Sequence, residues 1–385
     1  MLATLGTQFF SAVSDNALIF AALALVHQAR YPAWTGPLLQ AFFIGTYILL
    51  APWVGTLANV QSKGRIMLLS NLVKAAGALG MCLHLNPFVC YAVIGAGAAV
   101  YSPAKYGILP ELVRAEHLVK ANGILESATI AAILIGSIIG GMLTDWSIEG
   151  ATAAIVAGYG LAALAAAFIP YLVSARPGQR FARRGSLQNF ADQTRALWRK
   201  ADVRIALIGT SLFWGAGAAL RFLVIAWVPE ALHIGNNRIA GFLTGMVAAG
   251  IAAGAVLAAK FVRIDRAWRA LPAGVMIGVG VCLLPLAHSL PPAFAIMAWV
   301  GIASGYFVVP LDAILQKRGA ESVGAGPAIA IQNLFENVAM LVLISGYTAV
   351  GYIHFPMNDV ALGFGIFLAV GMSTLMLQKM PRGHR

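Results

Sequence analysis

The chain has 385 residues, of which 60% are hydrophobic and 10% charged, with a mean hydropathy of +0.81. That leaves too little polar surface to cover a soluble globule of this size, so the chain reads as an integral membrane protein. The formal charge of +12 would suit nucleic acid only as a basic face on a soluble domain, and no such domain can be drawn.

Apolar stretches long enough to span a bilayer, roughly 20 residues each at ~1.5 Å per residue, are predicted at 5–28, 36–58, 65–84, 87–109, 120–144, 150–172, 203–229, 239–260, 270–288, 292–315, 324–352 and 358–378. These make twelve spans, six in each half. Met1 to Phe10 has neither a basic lead nor a small-residue cleavage site, so the first stretch reads as a span and not as a cleaved signal. The 324–352 stretch is long enough to tilt, or to bend near Gly346. Between the sixth and seventh spans lies the one sizeable polar segment, which divides the chain into a bundle at 1–173, a cytoplasmic linker at 174–202 and a bundle at 203–385. In the linker Leu187, Phe190, Leu197 and Trp198 recur at helical spacing among Arg195, Arg199 and Lys200. That pattern predicts a short amphipathic helix on the inner membrane surface; a merely solvated linker fits as well.

An even number of spans per half makes the two halves parallel repeats. The sequence agrees. Residues 101–126 and 307–336 align so that Pro103 falls on Pro310, Lys105 on Asp312 and Glu126 on Glu336, and Thr7 to Phe10 matches Thr210 to Phe213 more loosely. Placing both termini in the cytoplasm puts there all of the 26 Lys and Arg except Arg30 and Arg238 outside, and Lys74 and Arg221 within spans. This is the positive-inside asymmetry, so the basic excess reads as topology plus attraction to anionic membrane lipid.

Charges inside spans carry the functional signal, because each costs at least ~2.5 kcal/mol at a span centre unless it meets water or a partner. Asp15, with Asn16 beside it, falls near the middle of the first span and Arg221 deep in the seventh. Two roles fit this pair: holding a zwitterion, ammonium at Asp15 and phosphate in the planar fork of Arg221, or neutralising each other. Phe10, Trp214 and Phe222 supply apolar lining suited to a lipid tail. Lys105 and Asp312, each two residues after a proline and near the cytoplasmic ends of their spans, are candidates for an ion pair that closes the cytoplasmic mouth. Local satisfaction is the competing role: Lys105 with Glu126, Asp312 with Lys317 or Arg318. Glu126, Glu336 and Lys74 have no evident partner in sequence; the two glutamates join the gating set and Lys74 stays unassigned. Gly95 to Ala99, Gly136 to Gly141 and Gly245 to Gly254 read as helix-packing ridges.

Chemistry is poorly represented. Cys82, Cys90 and Cys282 lack metal-like spacing, no P-loop, HExxH or GxSxG occurs, and no cofactor or metal is expected. His354 and Asp359 have the H-x4-D spacing of a hydroxyl acyltransferase, but the segment falls in an external loop, away from cytoplasmic acyl donors. An enzyme is therefore not expected.

The strings SAVSDNALIFAALALV, YSPAKYGILPELV, LVKANGILESATIAAILIGS, GTSLFWGAGAALRF and VGAGPAIAIQNLFENVAML resemble the bacterial lysophospholipid transporters of the major facilitator superfamily, over essentially the whole chain. The resemblance implies an all-α fold of twelve transmembrane helices in two pseudo-symmetric six-helix bundles. It implies alternating access, moving lysophospholipid from the outer to the inner leaflet of the bacterial inner membrane, by a monomer. There a cytoplasmic acyltransferase/acyl-carrier-protein synthetase partner would restore the missing chain. An exporter of drugs or small amphiphiles is the alternative within transport. One departure stands out: where the superfamily usually has an Asp in the loop after the second span, this chain has Asn59, which weakens the usual acid lock and favours Lys105 and Asp312 as a gate.

Overall fold

The computed structural model describes residues 1–32, 35–112, 118–170, 186–235, 237–262, 264–353 and 355–378. Among these the regular structure is helical: α1 Leu2–Gln28, α2 Gly36–Val60, α3 Lys63–Cys82, α4 Pro87–Gly107, the single turn α5 Leu109–Leu112, α6 Leu118–Trp146, α7 Ile148–Ala167, α8 Ser186–Trp198, α9 Ala201–Leu232, α10 Asn237–Phe261, α11 Leu271–Leu283, α12 Leu290–Val323, α13 Ala325–Tyr352 and α14 Met357–Leu377. Ten helices in the described set are long and apolar enough to cross a membrane, and shorter apolar runs, Leu38–Val54 and Ala131–Trp146, lie in α2 and α6. Each of the twelve stretches predicted from hydropathy falls on one of these helices.

Local chemistry sets several helix ends. Pro87 opens α4 where its missing N–H costs nothing, and the Asn86 side chain accepts from Phe88 N at 3.0 Å and Val89 N at 3.3 Å. Ser147 caps α7 by accepting from Gly150 N at 3.0 Å. At the far end of α9 the chain turns through His233 in the left-handed region, φ 57°. The 324–352 stretch runs as one helix through Gly346. The linker does contain the expected short helix, α8, with Leu197 buried, Leu187 exposed and Trp198 stacked on Phe335 of α13 at 5.2 Å between ring centroids; residues 174–185 of the linker lie outside the described set.

The helix of the tenth span is longer than its apolar core. It continues to Val323, which leaves Asp312 about three turns before the helix end at ~3.6 residues per turn. Lys105, by contrast, stands in the last turn of α4. The two repeat-matched residues therefore occupy unequal places on their helices.

The chain divides into two compact units, Met1–Ala191 with Ala325–Leu334, and Asp192–Gly324 with Phe335–Arg385. In the first, α1 packs on α6 and α7, α3 on α4 and α7, and α2 on α4. In the second, α10 packs on α12 and α11 on α12 and α14, with α9 against α12 and α14. The tightest crossing is α10 on α12. A Cβ on Gly254 would collide with the Ile302 carbonyl oxygen, and one on Gly305 with that of Ile251. Small residues there let two backbones touch, the main way helices gain contact in lipid, where side-chain burial gives little.

Candidate functional site

The first unit contains a polar cavity of about 130 Å³, and four helices build it by simple periodicity. Gln8, Ser11 and Asp15 follow one another at helical spacing, so α1 turns one polar stripe inward. Ala98, Tyr101, Ser102 and Lys105 form a stripe on α4, while Phe43 and Tyr47 come from α2 and Lys74 from α3.

At its centre Lys74 Nζ donates to both Asp15 oxygens, 3.0 Å to Oδ1 and 2.8 Å to Oδ2, and to Ser11 Oγ at 3.0 Å. Tyr159 of α7 donates its hydroxyl to Asp15 Oδ1 at 2.8 Å. The ammonium also lies 4.9 Å from the Tyr101 ring centroid and 5.6 Å from that of Tyr159, within reach of a cation–π attraction. Next to it Tyr101 donates to Gln8 Oε1 at 3.0 Å, Gln8 Nε2 to Thr129 Oγ1 at 2.9 Å, and Thr129 to the Leu125 carbonyl at 2.9 Å. Each of these side chains donates to a partner, which helps make so polar a cluster tolerable in an apolar bundle. The Lys74 side chain is 1% exposed and that of Asp15 30%. The lysine is thus sealed in, whereas the carboxylate keeps one face open.

Lys74 is the residue the sequence left unassigned, and it is the ion-pair partner of Asp15. Room for its stem comes from Gly97, where a Cβ would fall 2.9 Å from Lys74 Cγ and 2.8 Å from the Ser70 carbonyl oxygen. Read from sequence, that glycine was only a packing residue. Tyr101 and Tyr159 were also missed; the one readable clue was the Gln8, Ser11, Asp15 stripe.

The other candidates are placed as follows. Lys105, expected at a mouth, is buried and lines the same cavity as Asp15. Asn16 turns its amide onto the Ala12 carbonyl at 2.8 Å. Phe10 is partly exposed, edge-on to Phe9. Arg221, Trp214 and Phe222 all lie on α9 in the second unit: Arg221 is half-buried, Trp214 is 43% exposed beside Phe213, and Phe222 is buried against Tyr347. Asp312 on α12 is half-buried and Glu336 on α13 is buried. Arg318, offered as a partner for Asp312, pairs with Asp202 at 3.5 Å and Glu321 at 3.8 Å. Glu126 belongs to α6, but its side chain, like that of Asn59, lies outside the described set, as does His354; Asp359 sits in the first turn of α14.

The family model described as Major Facilitator Superfamily matches residues 4–344. A protein of Salmonella arizonae named lysophospholipid transporter LplT is 49% identical over 377 residues, covering 98% of this chain and 95% of that protein. The protein of the same name from Escherichia coli K12 is 48% identical with the same coverage. Among solved structures, the human organic anion transporter MFSD10 (TETRAN) superposes with a TM-score of 0.71 at 13% identity, covering 96% of this chain and 98% of that one. A bacterial homologue of the human lysosomal transporter Spinster, inward-facing and unoccupied, gives 0.65 at 14% identity, covering 97% of this chain and 92% of the other. These two likenesses speak for the fold alone. The repeated helical bundles, the family match along most of the chain and the near-half identity to full-length relatives lead to one conclusion: the chain belongs to the major facilitator superfamily.

Proposed function

We propose that this protein carries lysophospholipids across the bacterial inner membrane, from the outer to the inner leaflet, by alternating access. The name borne by relatives 49% and 48% identical along 98% of the chain supports the substrate class. The observation that carries the reading in this chain itself is the cavity around Asp15 and Lys74. It is polar and charged, and too small for a whole amphiphile, since sites that enclose a drug-sized ligand run to about 300 Å³ or more. A headgroup would enter it while the acyl chain stays in apolar surroundings. The open face of Asp15 would take the headgroup ammonium, and Arg221 on α9 remains a proposed anion contact of the second unit. The protein would act as a monomer, without chemistry of its own, and hand its cargo to a cytoplasmic acyltransferase/acyl-carrier-protein synthetase.

The test is reconstitution. Purified protein in liposomes, given labelled lysophosphatidylethanolamine in the outer leaflet, should move the label inward faster than protein-free vesicles. Equal rates with and without protein, under imposed proton and sodium gradients alike, would refute the reading.

A further inference from the structure

Ser102 belongs to the inward stripe of α4 and lines the cavity of the first unit. A hydroxyl has one proton to give and two lone pairs to accept with, so its neighbours decide which of these faces a ligand. Ser102 Oγ accepts from Asn333 Nδ2 at 3.0 Å, across 231 residues of chain. The amide reaches it because the opening of α13, Ala325–Leu334, packs with the first unit. That bond occupies a lone pair and leaves the proton. Thr7, Thr129, Thr244 and Ser373 each donate to the carbonyl four residues back on their own helix, a frequent fate of helical hydroxyls. Ser102 does not, and among the described residues it makes no second hydrogen bond. Lys74 and Tyr101, which line the same space, already donate to Asp15, Ser11 and Gln8. Ser102 therefore brings an uncommitted proton donor to the cavity wall. Its natural partner is an ionised oxygen, to which a hydroxyl bonds about twice as strongly as to a neutral one.

We infer that Ser102 donates to a phosphoryl oxygen of the cargo headgroup, and that Asn333 is its positioning residue, holding the hydroxyl with its proton toward the cavity. The inference rests on the lysophospholipid reading and deepens it: α13, from the second repeat of the sequence, helps build a contact in the cavity of the first unit. A free phosphate ion presents the same oxygens, so the probes must separate the two.

Transport of labelled lysophosphatidylethanolamine is measured in liposomes, with unfolding temperatures taken on the same preparations of the full chain. Ser102→Ala should raise KM several-fold with kcat little changed, while Ser102→Thr, which keeps a hydroxyl, stays near the wild type. Asn333→Leu should raise KM by a similar factor. The double variant should be no worse than Ser102→Ala alone, because the amide acts only through the hydroxyl. Asn333→Asp separates positioning from packing. A carboxylate can only accept, so it keeps the contact but draws the Ser102 proton to itself, and KM should rise while the unfolding temperature holds. A wild-type KM in folded Ser102→Ala, or additive losses in the double variant, would overturn the inference and leave the transport reading standing. Where Ser102→Ala fails to fold, a wild-type KM in Asn333→Asp overturns it instead. As competitors, sn-glycero-3-phosphoethanolamine should inhibit the wild type more strongly than Ser102→Ala, and a monoacylglycerol should inhibit both alike. Inorganic phosphate competing as well as the diester would overturn the headgroup assignment. A rise in unfolding temperature with the diester that Ser102→Ala loses, in a protein that moves no lysophospholipid, would refute transport and uphold the contact.

Discussion

Lys74 sets its ammonium against both carboxylate oxygens of Asp15, at 3.0 and 2.8 Å, from a helix 59 residues further along the chain. The pair is bought at the cost of desolvating two charges, so its members are worth much less apart than together.

Removing Asp15 alone should therefore do more than stop transport. Asp15→Ala strands a lysine that is 1% exposed, and loss of one member of a buried pair costs about 3–5 kcal/mol. A lowered unfolding temperature and a smaller folded fraction on size exclusion are expected. Asp15→Asn combined with Lys74→Met should recover much of the lost stability without recovering flipping. If Asp15→Ala melts like the wild type, the pair is not holding the bundle together.

Tyr159→Phe removes one hydrogen bond to Asp15 Oδ1 and keeps the ring near Lys74. The expected loss is about 1 kcal/mol of stability, with a several-fold fall in flipping rate as the carboxylate loses its fixed orientation. Denaturant titration and a liposome assay on the same preparation would measure both.

At the α10–α12 crossing, Gly305→Leu should prevent accumulation of folded protein, because the added carbons run into the Ile251 backbone and backbone cannot step aside. Gly346→Ala is the matched control. Its Cβ would enter open space, and alanine should be neutral or stabilising by up to about 1 kcal/mol in a helix. Expression and monodispersity of the two variants, compared side by side, decide the point.

Arg221→Lys should transport nearly as poorly as Arg221→Ala if the planar fork is what matters, because an ammonium cannot offer two parallel bonds to one phosphate. A lysine variant that flips at the wild-type rate would reduce Arg221 to a point charge.

The spans could be read from the sequence because hydropathy reports where the chain enters and leaves the apolar layer. It does not report where a helix continues beyond its apolar stretch, which is why α12 runs past the predicted end of its span to Val323. The charged cavity was half legible for a related reason. Position along a span gives the depth of Asp15, Lys74 and Arg221, but nothing in the sequence gives the rotation of each helix about its axis. Repeat symmetry drew attention to Arg221 as the counter-ion. The contacts that the first unit makes to Asp15 come from Lys74 of α3 and Tyr159 of α7, and they depend on which faces those helices turn inward.

Gly97 touches no candidate ligand and carries no charge, yet it sets the electrostatics of the cavity. A methyl group there would press on the Lys74 stem and the Ser70 backbone, moving the ammonium away from Asp15 and leaving each without its counter-charge. Substituted by alanine, this position should behave in assays like a charge mutation although no charge has changed. In any lineage that keeps a lysine at position 74, position 97 should stay glycine.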